Sequence, residues 1–285
     1  MTQTVTGALA MDEAGIEPDD VRPAGPRERR RPGLPTIYWV VIGITLLPIV
    51  AMIAYSFNVA PHHRITYVWH GFTADYYLHL TDLAGLWQAF IVSIVVALAS
   101  AAISVVVGTP LALALERFRF LGRRVVSGIV FVDIAAPSIV VGAASLSFFL
   151  TVNLHTGFLT ILLVHVSFNI AYVVVTLRAR LSGMGTVLEE AAADLGARPL
   201  TGFFAVTVPL LMPGIVASFL LALAMSIDDY VITSFVAGSS TTFPLFVYGV
   251  KTGLPPQVLC FGTIIFVVGL LLAFLNGAIN RRGRG

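Results

Sequence analysis

Leu188-Glu189-Glu190-Ala191-Ala192-Ala193-Asp194-Leu195-Gly196-Ala197, followed by Val206-Thr207-Val208-Pro209, is a long polar-bearing interruption late in a very apolar chain. Leu188, Ala191, Ala192 and Leu195 fall at i, i+3, i+4 and i+7, with Glu190 and Asp194 on the opposite face, so the spacing predicts a short amphipathic helix. Thr186 and Glu189 stand three apart, the spacing of a capping box, and Gly196 sits where such a helix would stop. The role of this helix follows from its surroundings.

Hydrophobic residues make up 57% of the 285 positions and charged residues 11%, too apolar for a domain with a hydrated exterior. The chain therefore reads as an all-α, polytopic membrane protein. About 20 apolar residues are needed to cross a hydrocarbon layer ~30 Å thick, and six segments qualify: Ile37–Phe57, Leu86–Leu115, Val125–Leu150, Phe158–Leu177, Leu210–Ala237 and Val258–Ala278. Residues 1–35, acidic at first and then rich in arginine, read as a disordered cytoplasmic tail with no cleaved signal, and 36–285 as the membrane domain.

With the N-terminus inside, the cytoplasmic segments carry all the Lys and Arg residues except Arg64 and Lys251. The positive-inside rule then places both termini, and the Glu190 helix between spans four and five, in the cytoplasm. Asn58 to Gly85 becomes external, with Trp69, Phe72, Tyr76 and Tyr77 at the level of an aromatic belt. His62, His63, His70 and His79 lie among them without a carboxylate or cysteine at ligand spacing, so no metal site is assigned. Cys260 is the single cysteine, which excludes a disulfide within the chain.

Span two presents Ser93, Ala97 and Ala101 on one stripe and Ser100, Ser104 and Gly108 on another, a pattern that lets helices approach closely. Pro110 near its inner end is a kink position. Carboxylates at membrane depth cost about 2.5–3.5 kcal/mol at a span centre and normally face a bundle interior, a partner or water. Asp228 and Asp229, about 27 Å along span five from Leu210, are the sharpest pathway candidates; Asp133 in span three lies near the inner mouth, within reach of Arg123 or Arg124. His165 and Asn169, spaced i and i+4, read as a bridge between helices.

Nucleotide hydrolysis needs a G-x-x-x-x-G-K-[ST] loop, and the one lysine, Lys251, is not in such a context. No G-x-S-x-G or H-E-x-x-H motif is present either. The chain is read as a non-enzyme, with no catalytic residues.

Glu190-Ala191-Ala192, three residues, Gly196, nine residues, then Val206-Thr207-Val208-Pro209 resembles the EAA loop of bacterial ABC importer permeases, E-A-A-x3-G-x9-I-x-L-P, with Val206 and Val208 for Ile and Leu. Trp69-His70-Gly71-Phe72-Thr73, Glu116-Arg117-Phe118-Arg119-Phe120-Leu121-Gly122, Ser226-Ile227-Asp228-Asp229-Tyr230 and Pro255-Pro256-Gln257-Val258 are similar to the permeases of spermidine/putrescine importers. The resemblance implies a type I importer permease of the inner membrane, with its core at about 84–280 and its coupling loop at 183–209. It implies as partners a second permease subunit, a dimer of ATP-binding cassette ATPases holding the ATP and magnesium, and an external solute-binding protein. A polyamine would be the substrate, lipid the surroundings, and neither nucleic acid nor a cofactor of this chain's own is implied.

The ATPase-docking positions carried over are Glu190, Ala191, Ala192, Gly196 and Ala197, with Glu189 ranked lower because the capping box accounts for it. A permease for another solute, a membrane scaffold for an ATPase and a secondary transporter, which would not need the Glu190 loop to bind another protein, remain alternatives at this level. Replacing Glu190 with Arg discriminates: an ATPase that co-purifies with the native chain should be lost from Glu190→Arg, and its retention would remove Glu190 from the docking surface.

Overall fold

The computed structural model describes residues 33–250 and 253–282. Most of the tail (1–32), Lys251 and Arg284 lie outside the described residues. Contacts divide the chain into Met1–Ile49 and Val50–Gly285; what is described of the first is helix, and the packing below concerns the second.

The helices in chain order are α1 Gly33–Ser56, α2 Asp75–Leu78, α3 Ala84–Arg117, α4 Arg123–Ala135, α5 Ser138–Thr151, α6 Phe158–Ser182, α7 Val187–Asp194, α8 Pro199–Gly202, a π-helix Phe203–Thr207, α9 Val208–Asp228, α10 Val231–Val236, α11 Phe243–Gly249 and α12 Gln257–Arg282. Among the described residues five helices are long and apolar enough to span a bilayer, and a bent pair makes up to six.

Two predicted straight spans are broken. The expected Val125–Leu150 helix turns through 112° between α4 and α5. Pro137 explains the break: it has no amide to donate, its ring disfavours helical geometry in Ala136 (ψ 136°), and its carbonyl accepts the Val140 and Val141 amides that start α5. The expected Leu210–Ala237 helix ends at Asp228, Asp229 is extended (φ −66°, ψ 118°), and α10 restarts at Val231. Pro110, by contrast, does not interrupt α3.

The long helix α3 lies against α6 and α9, its small-residue stripes inward. Ala97, Ala101, Ser100 and Ser104 are fully buried, and the Ser104 hydroxyl donates to the Val166 carbonyl at 3.1 Å. One apolar core, including Leu115, Val174, Leu177 and Leu211, lies between these helices; a second, around Val96, Phe149, Ile161 and Val236, brings α5 and α10 onto α3 and α6. Near the end expected to be cytoplasmic, Arg178 Nε donates to Glu116 at 3.2 Å and its Nη1 to Ser127 at 3.1 Å, joining α6 to α3 and α4.

The segment after α1 is folded. Asn58 bridges to the 66–72 stretch, donating to the Val68 carbonyl and accepting the His70 amide, both at 2.8 Å. The Phe57 ring stacks on Phe72 and Tyr77.

Gly108 shows how tight the α3–α6 contact is. A Cβ built there would stand 2.7 Å from Val173 Cγ1 and 3.1 Å from its Cβ, and a β-branched side chain on a helix has little χ1 freedom to yield. Gly108→Ala gains about 1 kcal/mol of helix propensity but loses more to overpacking, typically about 1–3 kcal/mol. The mutant in detergent should melt at a lower temperature, and Gly108→Ala/Val173→Ala should be more stable than the summed single effects require.

Candidate functional site

The predicted amphipathic helix is present as α7, and its end is a Schellman motif. Gly196 has φ +83°, its amide reaches the Ala193 carbonyl at 2.9 Å, and the Ala197 amide reaches Ala192 at 3.0 Å. Its start departs from expectation. Thr186 is already helical (φ −90°, ψ −6°) and makes no side-chain cap, so the capping box does not form.

Glu189 turns inward instead. Its carboxylate lies 3.5 Å from Arg117 Nε and accepts from the Thr207 hydroxyl at 3.3 Å. A charged partner and a hydroxyl outcompete one backbone amide for the carboxylate, since hydrogen bonds to ionised groups are the stronger ones. Glu190 points away and is exposed, as are Ala191, Leu188 and Leu195, while Ala192 is half-buried. The apolar stripe of the amphipathic helix is therefore largely outward, and Glu190 is exposed as well.

The three carboxylates meet elsewhere. Asp133 sits in the last turn of α4, one turn before the Pro137 break; Asp228 ends α9 and Asp229 occupies the second break. Counting along straight helices separates Asp133 from Asp228, but with both helices interrupted all three line one cavity of about 360 Å³. Among the described residues Asp133 pairs with no arginine within 4.0 Å, so the expected contact with Arg123 or Arg124 is not made. Tyr172, Tyr230 and Tyr248 share the cavity, with the last two rings stacked 4.3 Å apart.

Asp229 is held on its inner side. It accepts the Thr233 amide at 2.8 Å, the Thr233 hydroxyl at 2.7 Å and the Ile232 amide at 3.4 Å, and so caps α10. His165, buried, has Nε2 2.9 Å from the Thr233 hydroxyl and 3.6 Å from Asp229, and Nδ1 2.5 Å from Ser226. Ser226 continues to Ser100 at 3.1 Å, which accepts from Asn169 at 3.3 Å. This chain of polar groups ties α3, α6, α9 and α10 together. His165 and Asn169 do bridge helices as their spacing suggested.

Sequence reasoning did not reach the tyrosines. For Tyr172 a signal existed, because His165, Asn169 and Tyr172 fall at i, i+4 and i+7 on one helical face. Tyr230 and Tyr248 arrive through the second break and the turn between α10 and α11, which spacing does not encode.

Residues 104–285 match the family described as binding-protein-dependent transport system inner membrane component. The chain is 37% identical over 246 residues to the spermidine/putrescine transport system permease protein PotC of Haemophilus influenzae, covering 86% of this chain and 95% of that one. It is 34% identical over 258 residues to the putrescine transport system permease protein PotI of Escherichia coli, covering 85% and 91%. Among solved structures, a bacterial ABC transporter for alginate import superposes with a TM-score of 0.63 at 18% identity over 87% of this chain and 95% of that one. The MetNI methionine ABC transporter gives 0.54 at 20% over 74% and 98%. These last two likenesses show the fold. A component of a binding-protein-dependent system works with an ATPase and a solute-binding protein. The chain therefore belongs to the family of binding-protein-dependent transport system inner membrane components, as a multi-pass, non-catalytic permease subunit of an ABC importer.

Proposed function

We propose that this permease carries a polyamine, and that the cavity bounded by Asp133, Asp228 and Asp229 is part of its path. The observation that carries the reading is three carboxylates and three tyrosines around one cavity, with no Lys or Arg within ion-pair distance of those carboxylates among the described residues. Opposite charge offsets the dehydration of an ammonium group. Aromatic faces add cation–π attraction and cover the methylenes between the charges. An anionic solute would meet repulsion at the same surface. The names borne by the similar PotC and PotI proteins support the same substrate class.

In this reading the chain supplies half of the translocation path and a second permease subunit the other half; one of the two ATPase subunits docks on the 183–209 loop through Glu190, Ala191, Ala192, Gly196 and Ala197, and the other on the corresponding loop of the second permease. ATP binding draws the ATPase subunits together, and the loops pass that displacement to the spans. Moving a two-state gate from 1:99 to 99:1 takes about 5.5 kcal/mol of differential binding, so the loop must be stiff and firmly seated.

The test is transport of putrescine and spermidine by the complex reconstituted with its ATPase, partner permease and loaded binding protein. Absence of polyamine-stimulated ATP hydrolysis would refute the substrate. Asp228→Asn and Asp229→Asn each remove a charged partner worth about 1.5–3 kcal/mol, so apparent affinity in transport should fall roughly 10- to 100-fold. Unchanged transport in both singles and in the double mutant would take these carboxylates off the path.

A further inference from the structure

The two adjacent glutamates of α7 occupy opposite environments. Glu190 is exposed, with no side-chain hydrogen bond or ion pair among the described residues. Glu189 is three-quarters shielded and meets Arg117, whose side chain is 15% exposed. Arg117 closes α3, and its Nη2 also donates to the carbonyls of Met184 at 3.1 Å and Gly185 at 3.3 Å, the residues that lead into α7. Neighbouring Glu116 is engaged by Arg178, so it does not compete for Arg117. On its other side Glu189 holds the buried Thr207 hydroxyl. One carboxylate thus joins three elements: the coupling helix, the end of α3 and the entry to α9.

That entry is a π-helix. The Val208 amide reaches back five residues to the Phe203 carbonyl. Pro209 explains the wide turn, because its ring would crowd the Ala205 carbonyl of an ordinary α-turn and it has no amide to donate. Single π-turns within a helix occur frequently at functional sites. Beyond it α9 runs 21 residues to Asp228, about 31 Å of helix at 1.5 Å per residue. Thr207 stands one residue from the start of a rod whose far end carries a cavity carboxylate.

We propose that Glu189 is a positioning residue inside the permease: with Arg117 and Thr207 it latches α7 to α3 and α9, so that displacement of α7 reaches the cavity. Contact with the ATPase is left to Glu190, Ala191, Ala192, Gly196 and Ala197, with the exposed Leu188 and Leu195 in the same loop. The inference rests on the docking role given to α7, and the experiment separates the two.

The complex is purified with its ATPase from cells carrying Glu189→Gln, Glu189→Ala, Arg117→Ala, Arg117→Ala/Glu189→Ala, Thr207→Val or Glu190→Arg. Two quantities are read: the ATPase retained per permease, and the stimulation of ATP hydrolysis by spermidine-loaded binding protein. The Glu189, Arg117 and Thr207 variants should keep the ATPase, while stimulation falls roughly 2- to 30-fold. Because Arg117 and Glu189 act through each other, the double mutant should be no worse than the poorer single. Glu189→Gln preserves shape and the acceptor for Thr207, so it reads the lost charge without removing the side chain.

Loss of the ATPase from Glu189→Gln would move Glu189 to the docking surface and overturn the latch. Full stimulation in Glu189→Ala, or a double mutant equal to the product of the singles, would also overturn it. Glu190→Arg reports on docking alone: if it retains the ATPase, the docking role of Glu190 fails, whereas the latch is still judged by stimulation.

Discussion

Lipid offers no hydrogen-bond partner to a freed amide, so a span is interrupted only where the chain supplies a substitute. Asp229 is that substitute at one break: its carboxylate takes the Thr233 and Ile232 amides that begin α10. At the other break Pro137 needs no donor partner of its own, and its carbonyl takes the first amides of α5. These interruptions allow Asp133, Asp228 and Asp229 to line one cavity. The residue that repairs the second break is thus also a wall of the cavity, so local backbone chemistry and the reading of the site rest on the same carboxylate.

The polar chain behind Asp229 explains how a broken helix stays in place. In a membrane, apolar packing alone gives helices little preference for one another over lipid, and small residues with hydrogen bonds between helices supply the specificity. His165 reaches Ser226 before the break and Thr233 after it, and Ser226 reaches Ser100 on α3. Both sides of the interruption are therefore anchored to the same inner helix, α6. The small residues of α3 serve the same end, because Gly108 and Ser104 let α6 come near enough for these short side chains to meet.

At the other end of α9, charge does comparable work. Arg117 and Glu189 fasten the loop to the bundle and Arg178 fastens α6 to α3 and α4. The apolar side chains of α7 thus face outward while Glu189 turns inward to Arg117.

Much of this was legible in the residues. Long apolar runs, the arginine distribution, the small-residue stripes and the turn at Gly196 each depend on neighbours within a turn or two of helix, so composition and periodicity were sufficient for the helical membrane class, the packing faces of α3 and the end of α7. The spacing of Glu190, Ala191, Ala192 and Gly196 was likewise enough to propose a docking loop between α6 and α9. The inward turn of Glu189, the union of Asp133 with Asp228, and the arrival of Tyr230 and Tyr248 belonged to the folded chain alone. Each turns on a meeting of residues far apart in sequence, or on a helix break whose angle a proline or aspartate permits but does not specify. Thr186 was a sound local cap for Glu189; Arg117, seventy-two positions away, offered a stronger partner.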